Sequence, residues 1–212
     1  MTDKIEVFKQ NSIRIQTEVG PVYIDPFEID RETHDAAFVF VTHDHYDHFS
    51  PEDIRKVSFA DTILIVPESM EKNAKKVADA VKKIETVSPG KQYETDGLTF
   101  ETVAAYNIMK PFHAKSAGWV GYILSVNNQR IYIAGDTDAT KEAKGVRCDV
   151  ALVPIGGTYT MDAKKAAELI NEIKPQTAIP THYGSIVGKQ SDERVFAEYV
   201  KDPVRVECKI NF

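Results

Sequence analysis

An apolar segment runs without interruption into a cluster of histidines and acids, and this junction constrains the fold more than any other feature. Residues 36–41 read Ala-Ala-Phe-Val-Phe-Val, and residues 42–48 continue as Thr-His-Asp-His-Tyr-Asp-His. A short strand that is apolar on both faces is typical of the middle of a covered sheet. The cluster therefore begins where a buried strand ends.

Three of the six histidines lie in this cluster: His43, His45 and His48, beside Asp44 and Asp47. His43 and His45 are two residues apart, so in an extended segment both face the same side, and the following loop can return Asp47 and His48 toward them. Imidazole and carboxylate ligands suit Zn(II), Mn(II) or Fe(II). The plainer interpretation, an incidental His-rich surface loop, conflicts with the apolar strand before it. We predict a divalent metal site.

Three further polar residues follow strand-like segments or loops: His113 after residues 106–112, Asp136 after 131–135, and His182 after 178–181. Taken singly, a histidine is more often a satisfied polar group than a ligand, and an aspartate after a strand is often a helix cap. Taken with the cluster, the three complete the ligands of a two-metal site.

Composition limits the class of protein and its partners. The 212 residues suit one domain, 1–212, with 42% hydrophobic and 27% charged residues. A net charge of -6 argues against nucleic-acid binding. No apolar run approaches the roughly 20 residues of a membrane helix, and the first residues lack the apolar part of a secretory signal. We expect a cytoplasmic protein with a small-molecule substrate, no nucleic-acid or membrane partner and an oligomeric state that the sequence leaves open.

The two cysteines, Cys148 and Cys208, have no CxxC spacing and are predicted to be free thiols, with Cys148 buried at the start of a strand over 149–153. Ser50 followed by Pro51 predicts the N-terminus of a short helix through residue 57. Further strands are predicted at residues 5–8, 13–15, 22–24, 62–66, 98–103, 121–126 and 131–134, and further helices at 68–83, 162–173 and 192–200. Strands followed by helices in each half predict two similar αβ halves packed sheet to sheet.

The order of these motifs resembles that of the metallo-β-lactamase superfamily. The resemblance rests on His43-x-His45-x-Asp47-His48, then His113, Asp136 in Gly-Asp-Thr, and His182, and it covers nearly the whole chain from the segment 22–25 onward. The segments 133–138 and 179–184 resemble the small metal-dependent hydrolases related to ascorbate 6-phosphate lactonase and N-acylphosphatidylethanolamine phospholipase D.

The resemblance implies an α/β fold (α+β in some schemes), a four-layer αββα sandwich with metals at one edge. It places three residues on a first metal, namely His43, His45 and His113, three on a second, namely Asp47, His48 and His182, and Asp136 between the two ions. It implies two divalent ions, zinc first, with manganese and iron as alternatives.

The implied activity is hydrolysis of an ester, lactone or phosphoester of a small, anionic or neutral substrate by metal-bound hydroxide, with Asp47 as ligand and catalytic residue. Two alternatives remain. One is an iron-dependent oxidoreductase of the same fold, of the sulfur dioxygenase type. The other is a metal-binding protein without turnover, although structural zinc sites are usually closed and rich in cysteine.

Several residues near these motifs have open interpretations. Asp25 is either a turn residue before Pro26 or the group that orients a metal-bound imidazole, and His34 is expected at the surface. Four tyrosines, Tyr46, Tyr106, Tyr159 and Tyr183, are candidates to stabilise negative charge on the substrate.

Lys110 and Lys115 are candidates for a small basic patch that would suit an anionic substrate, although two lysines in a loop are more often merely solvated. Backbone donors of the Gly156-Gly157 loop would also receive an anionic group, but we favour a plain glycine turn with a threonine cap there.

Overall fold

Two mixed sheets dominate the computed structural model, which describes residues 2–212. In the described residues the first sheet contains, in order, β1 (Ile5–Val7), β2 (Ile13–Thr17), β3 (Gly20–Ile24), β4 (Phe38–Phe40), β5 (Ile63–Pro67) and β6 (Lys83–Val87). The second sheet contains, also in chain order from one edge to the other, β7 (Gln92–Thr95), β8 (Leu98–Ala104), β9 (Val120–Val126), β10 (Gln129–Ile133), β11 (Val150–Pro154), β12 (Thr177–Thr181) and β13 (Arg205–Val206).

Each sheet is antiparallel in its first part and parallel in its second. Strands β1 to β3 pair antiparallel and β3 to β6 pair parallel. In the second sheet β7 to β10 pair antiparallel and β10 to β13 pair parallel. The parallel strands need crossover connections, which is where the helices lie. The predicted two αβ halves are confirmed.

The α-helices are α1 (Pro51–Val57), α2 (Glu71–Ala74), α3 (Lys141–Lys144), α4 (Ala163–Ile173) and α5 (Asp192–Tyr199). Short 3-10 turns span Thr2–Lys4, Glu68–Met70, Lys75–Ala80 and Lys115–Ala117. The predicted cap is confirmed, because the Ser50 side chain accepts a hydrogen bond from the backbone N–H of Asp53. None of the helices within residues 2–212 has the length and apolar character to span a membrane.

The single helix predicted over 68–83 is wrong. This segment consists of a 3-10 turn, the one-turn helix α2 and a second 3-10 turn, and Lys83 already belongs to β6. The apolar spacing correctly marked the buried side, since Met70, Ala74 and Val77 are fully buried. The chain leaves the helical conformation early because residues 83–87 must pair with β5.

Side chains that alternate along β4 explain the layer order. Phe40 lies between the sheets, where its ring centroid is 5.0 Å from that of Phe100 and 4.9 Å from that of Tyr122. Val39 points to the opposite face and joins Ile54 of α1 in a separate buried cluster. On the far side of the second sheet, α4 contacts β11. The architecture is therefore αββα, as predicted.

The carboxyl ends of the central strands meet at one edge of the sandwich. The Tyr122 hydroxyl donates a hydrogen bond of 2.7 Å to the carbonyl of Val41, and the Val120 N–H donates one of 3.2 Å to the carbonyl of Thr42. Gly135, at φ 63°, passes so close that an added Cβ would lie 3.1 Å from the Cβ of Thr42. These contacts bring the loops after β4 and β10 together.

Both cysteines are free. Cys148 is half-buried, not buried as predicted, because it lies two residues before β11 begins. Cys208 is exposed.

Candidate metal centre

A first group of potential ligands consists of His43, His45, His113 and Asp136, whose ligand atoms all lie within 4.8 Å of one another. The loop after β4 supplies two of them, the loop between β8 and β9 supplies His113, and the turn after β10 supplies Asp136. Three are buried and His45 is half-buried, with access to solvent.

A second group consists of Asp47, His48 and His182, again with ligand atoms within 4.8 Å of one another. His182 follows β12 directly and has a φ of 58°, a conformation that is uncommon for residues other than glycine. This backbone is held by a hydrogen bond of 2.8 Å from the His182 N–H to the carbonyl of Gln10. The strained turn aims the imidazole at the end of the β4 loop.

Asp136 lies between the two groups. Its Oδ1 is 3.4 Å from Nε2 of both His48 and His182, and its Oδ2 is 3.3 Å from Nε2 of His113 and 4.0 Å from Nε2 of His43. One carboxylate thus offers an oxygen to each group, which is the arrangement that a bridging ligand requires. All seven residues predicted from the sequence converge here, while their roles as ligands stay predictions.

Hydrogen bonds on the far side of three imidazoles orient them. Nδ1 of His43 lies 2.9 Å from the hydroxyl of Thr42, and Nδ1 of His113 lies 3.0 Å from Oδ1 of Asn107. Nδ1 of His48 lies 2.7 Å from Oδ2 of Asp25. Such partners fix the tautomer and leave Nε2 free to bind a metal.

Asp25 is a fully buried support for this arrangement. Besides His48, its carboxylate accepts hydrogen bonds from Asn11 Nδ2 at 2.8 Å and from the N–H and hydroxyl of Thr42, both at 2.7 Å. Of the two interpretations of Asp25, the orientation of a candidate ligand is the one that the contacts support.

The donor atoms fit a pair of divalent cations. Nε2 of His113 and Oδ1 of Asp136 are buried without a hydrogen-bond partner, and a buried polar group left in this way costs about 1–3 kcal/mol. Nε2 of His48 lies only 3.1 Å from Nε2 of His182. Cations bound by these imidazoles and carboxylates would satisfy the unpaired atoms, and the set of nitrogen and oxygen donors without sulfur suits zinc.

The electrostatics favour the protonation states that bind metal. Burial would raise the pKa of Asp136, but the imidazoles of His182 and His48 hold it well below the ordinary range. Burial would also raise the pKa of Asp47, but the hydrogen bond from His182 and the charge of that ring outweigh burial and lower the pKa to about 2. At His43 burial lowers the pKa and keeps the ring neutral. Both carboxylates are therefore ionised at neutral pH.

His48 behaves differently. Burial lowers its pKa, but Asp136 and Asp25 together overcome this effect and raise the pKa to about 9. A metal ion binding at Nε2 must displace this proton, so binding releases protons near neutral pH.

Gln10 belongs to the site, although nothing in the sequence marked it. It is fully buried at φ 53° before β2, and its Nε2 lies 3.2 Å from Oδ2 of Asp47 and 3.4 Å from Nε2 of His182. Its Oε1 accepts a hydrogen bond of 2.8 Å from the Ser185 hydroxyl. A single glutamine in an N-terminal turn carries no motif, and only the pairing of distant segments brings it here.

Two of the four candidate tyrosines are excluded from the site. The Tyr183 hydroxyl donates to Glu193 at 2.6 Å, and the Tyr106 hydroxyl donates to Glu142 at 2.8 Å. Tyr46 and Tyr159 line the cavity above the candidate ligands. Sequence neighbours such as His182 and Tyr183 point in different directions because the chain turns between them.

Lys110 and Lys115, the candidates for a basic patch, do not form one. Lys110 donates to Asp138 at 2.7 Å and to the carbonyl of Thr160, and Lys115 donates to Glu142 at 2.7 Å. His34 is exposed, as predicted.

The loop containing Gly156 and Gly157 is a plain turn. Its N–H at Gly157 donates to the carbonyl of Met161 at 3.1 Å, and the cap of α4 is Asp162, not a threonine.

A cavity of about 240 Å³ opens onto both groups of candidate ligands. Its lining comprises His45, Tyr46, Asp47, Phe112, Asp136, Tyr159, His182 and Ile186. A larger groove of about 590 Å³, which includes Glu101 and Arg130, contains none of the seven predicted site residues. The smaller cavity is the one that gives a substrate access to the candidate ligands.

The model of the family described as "Beta-lactamase superfamily domain" matches residues 4–182. The chain belongs to this superfamily. It is 32% identical over 181 residues to a UPF0173 metal-dependent hydrolase of Pyrococcus abyssi, covering 81% of this chain and 77% of the relative. It is 33% identical over 177 residues to a UPF0173 metal-dependent hydrolase of Thermoplasma acidophilum, covering 77% and 76% of the two chains.

A solved structure supports the same fold. Igni18, described as a novel metallo hydrolase from Ignicoccus hospitalis, has a TM-score of 0.78 at 21% identity, with 97% of this chain and 94% of that chain covered. The predicted superfamily and fold class are confirmed. The relation to the lactonase and phospholipase branch stays a prediction.

Proposed function

We propose that this chain is a metal-dependent hydrolase that holds two divalent cations, zinc by preference, and cleaves an ester, lactone or phosphoester bond of a small molecule. The observation that carries the proposal is the position of Asp136, with one carboxylate oxygen toward each of two groups of candidate ligands, all buried except the half-buried His45. The description of two relatives above 30% identity as metal-dependent hydrolases supports it.

In this proposal His43, His45 and His113 would hold one ion, Asp47, His48 and His182 would hold a second, and Asp136 would serve both groups. Bound divalent ions lower the pKa of water to about 7, which supplies hydroxide at neutral pH, and polarise a substrate oxygen. The protein contributes a fixed geometry, since Thr42, Asp25 and Asn107 already hold three of the rings.

Asp47 is the proposed catalytic residue because it combines contact with the second group and access to the cavity. Its Oδ2 lies 3.3 Å from Nε2 of His182, and its pKa of about 2 keeps it ionised. An ionised carboxylate at this position can accept a hydrogen bond from the attacking water and orient it. The side-chain amide of Gln10 donates a hydrogen bond of 3.2 Å to the same oxygen.

The two alternatives fit the site less well. A mononuclear iron oxidoreductase needs only two histidines and one carboxylate, whereas here the second group is as complete and as buried as the first. A purely structural metal site would be closed, whereas His45, Asp47 and His182 line an open cavity.

Metal analysis combined with a substrate panel tests the proposal. We expect about two zinc ions per chain, hydrolysis of at least one ester, lactone or phosphoester, and a loss of at least 100-fold in kcat for Asp47→Ala. Asp44→Ala is the matched control, because Asp44 lies in the same loop but is exposed. Fewer than one ion per chain, or hydrolysis that survives Asp47→Ala, would contradict the proposal. Oxygen consumption with a persulfide would instead favour the oxidoreductase.

A further inference from the structure

Hydrophobic side chains crowd the mouth of the cavity above the candidate ligands. Ten large hydrophobic side chains are exposed across residues 2–212, and four of them, Tyr46, Phe112, Tyr159 and Ile186, line this one cavity. Two more, Ile108 and Met109, belong to the same loop as Phe112. Single exposed apolar residues need no explanation, but a concentration around a polar site marks a surface that binds an apolar group.

The side chains of Tyr46, Phe112, Tyr159 and Ile186 form an apolar rim around the cavity, and hydrogen bonds and ring contacts hold it against the candidate ligands. The rings of Phe112 and Tyr159 meet edge to face, with centroids 4.7 Å apart. Asn107, which orients His113, also donates a hydrogen bond of 2.9 Å to the carbonyl of Tyr159. The rim is therefore prearranged relative to the candidate ligands, which reduces the entropic cost of placing a substrate.

The rim offers no basic side chain to a second anionic group on the substrate. Among the described residues the cavity lining contains no lysine or arginine, and in the proposed function the charges of Asp47 and Asp136 are offset by the cations. The ammonium of Lys110, in the same loop as Phe112, is occupied by Asp138 and by the carbonyl of Thr160. An anionic tail placed against Phe112 and Tyr159, away from the cations, would lose its hydration without gaining a cationic side chain as partner.

We infer that the substrate presents an uncharged aryl or branched alkyl group to this rim, beside the bond that is cleaved. The substrate class is then a hydrophobic ester, lactone or phosphoester that carries no anionic group besides the one at the bond that is cleaved. This inference rests on the proposed function, because the bond to be cleaved must lie at the metal ions while the apolar group lies against Phe112 and Tyr159.

Two hydroxamates with the same metal-binding head test the inference on the zinc-loaded protein. Phenylacetohydroxamate carries an aromatic tail, and succinate monohydroxamate carries a carboxylate. We expect the dissociation constant of the aromatic compound, measured by calorimetry, to be at least tenfold lower, since burial of one ring contributes at least that factor. Equal affinities, or tighter binding of the succinate compound, would overturn the inference.

Variants of the rim separate a specific effect from a general one. The preference for the aromatic compound is the ratio of its affinity to that of the succinate compound. Phe112→Ala should reduce this ratio about tenfold. Phe112→Lys should make the succinate compound the tighter ligand, because an ammonium replaces the ring. Phe59→Ala, which removes an exposed ring that does not line the cavity, should leave the ratio unchanged. If Phe112→Lys left the ratio unchanged, the rim would not be the recognition surface. A wild-type protein that bound no zinc would overturn the proposed function itself, together with this inference.

Discussion

At the scale of single residues, the side chains behind the candidate ligands decide how well a cation can bind. Gln10 is the clearest case, because one residue holds two of the three members of the second group. Its side-chain amide contacts Asp47, and its backbone carbonyl accepts the N–H of His182. Groups that orient ligands in this way are typically worth 10–100-fold in metal affinity.

We therefore expect Gln10→Ala to weaken binding of the second zinc ion about 10–100-fold and to leave the first ion unaffected. Competition with a chelating dye measures both affinities. Gln190→Ala, at an exposed position, is the control. Two unchanged affinities would show that Gln10 only fills space, and equal losses at both would indicate a general disturbance of the fold.

At the scale of elements, short helices depend on hydrogen bonds with the loops beside them. Asp53 of α1 is buried and accepts hydrogen bonds from the backbone N–H groups of Glu28 at 2.9 Å and Ile29 at 3.0 Å. It also accepts from Ser50 at 2.8 Å and Lys56 at 3.0 Å. One carboxylate thus attaches the loop after β3 to the start of α1.

This attachment predicts how stability depends on pH. Burial raises the pKa of Asp53, but the hydrogen bonds from Ser50 and Lys56 outweigh burial and lower it. The ordinary pKa of an unfolded aspartate is about 3.9, and the folded-state pKa of Asp53 is lower. The ionised carboxylate therefore stabilises the fold fully above about pH 4, and this stabilisation is lost as the pH falls through the folded-state pKa.

Asp53→Asn should lower the free energy of unfolding by about 1–3 kcal/mol at pH 7. The difference from wild type should shrink progressively below about pH 4, and urea unfolding at pH 7 and pH 3 measures it. Glu52→Gln, one residue earlier and largely exposed, should show a much smaller effect. A difference that stayed constant with pH would contradict this account of the carboxylate.

At the scale of the whole molecule, the candidate site connects the two sheets. The first sheet carries His43, Asp47 and His48, while the second carries Asp136 and His182. A cation bound by ligands from both sheets stabilises the folded state, because the unfolded chain does not bring these ligands together.

Removal of metal by a chelator should therefore lower the melting temperature. A ligand at 1,000 times its dissociation constant contributes about 4.1 kcal/mol, which corresponds to roughly 8–16 °C for a chain of this size. Zinc should restore the melting temperature of the wild type and of His34→Ala, whose histidine is exposed, but not that of His182→Ala. Calorimetry measures the melting temperature with and without metal. Equal melting temperatures for the chelated and the zinc-loaded protein would contradict the prediction.

The sequence by itself determined the local features of the protein. The apolar strand before the His cluster, the Ser50 cap and the order of ligand-type residues were readable because strand alternation, capping and ligand spacing are local properties. Together with the resemblance they carried, they were enough for the superfamily, the αββα order of layers and the seven residues that meet at the candidate site.

Only the tertiary structure decided how residues distant in the sequence contact one another. Gln10 lies beside Asp47 because the turn before β2 meets the loop after β4, and the Tyr183 hydroxyl points away from His182 because it donates to Glu193 of α5. Pairing of β6 with β5 ended the helix predicted over 68–83. The loop after β10 engaged Lys110 through Asp138, so that the candidate basic patch did not form. A side chain's direction and its partners are fixed by contacts from other segments, and no local pattern contains that information.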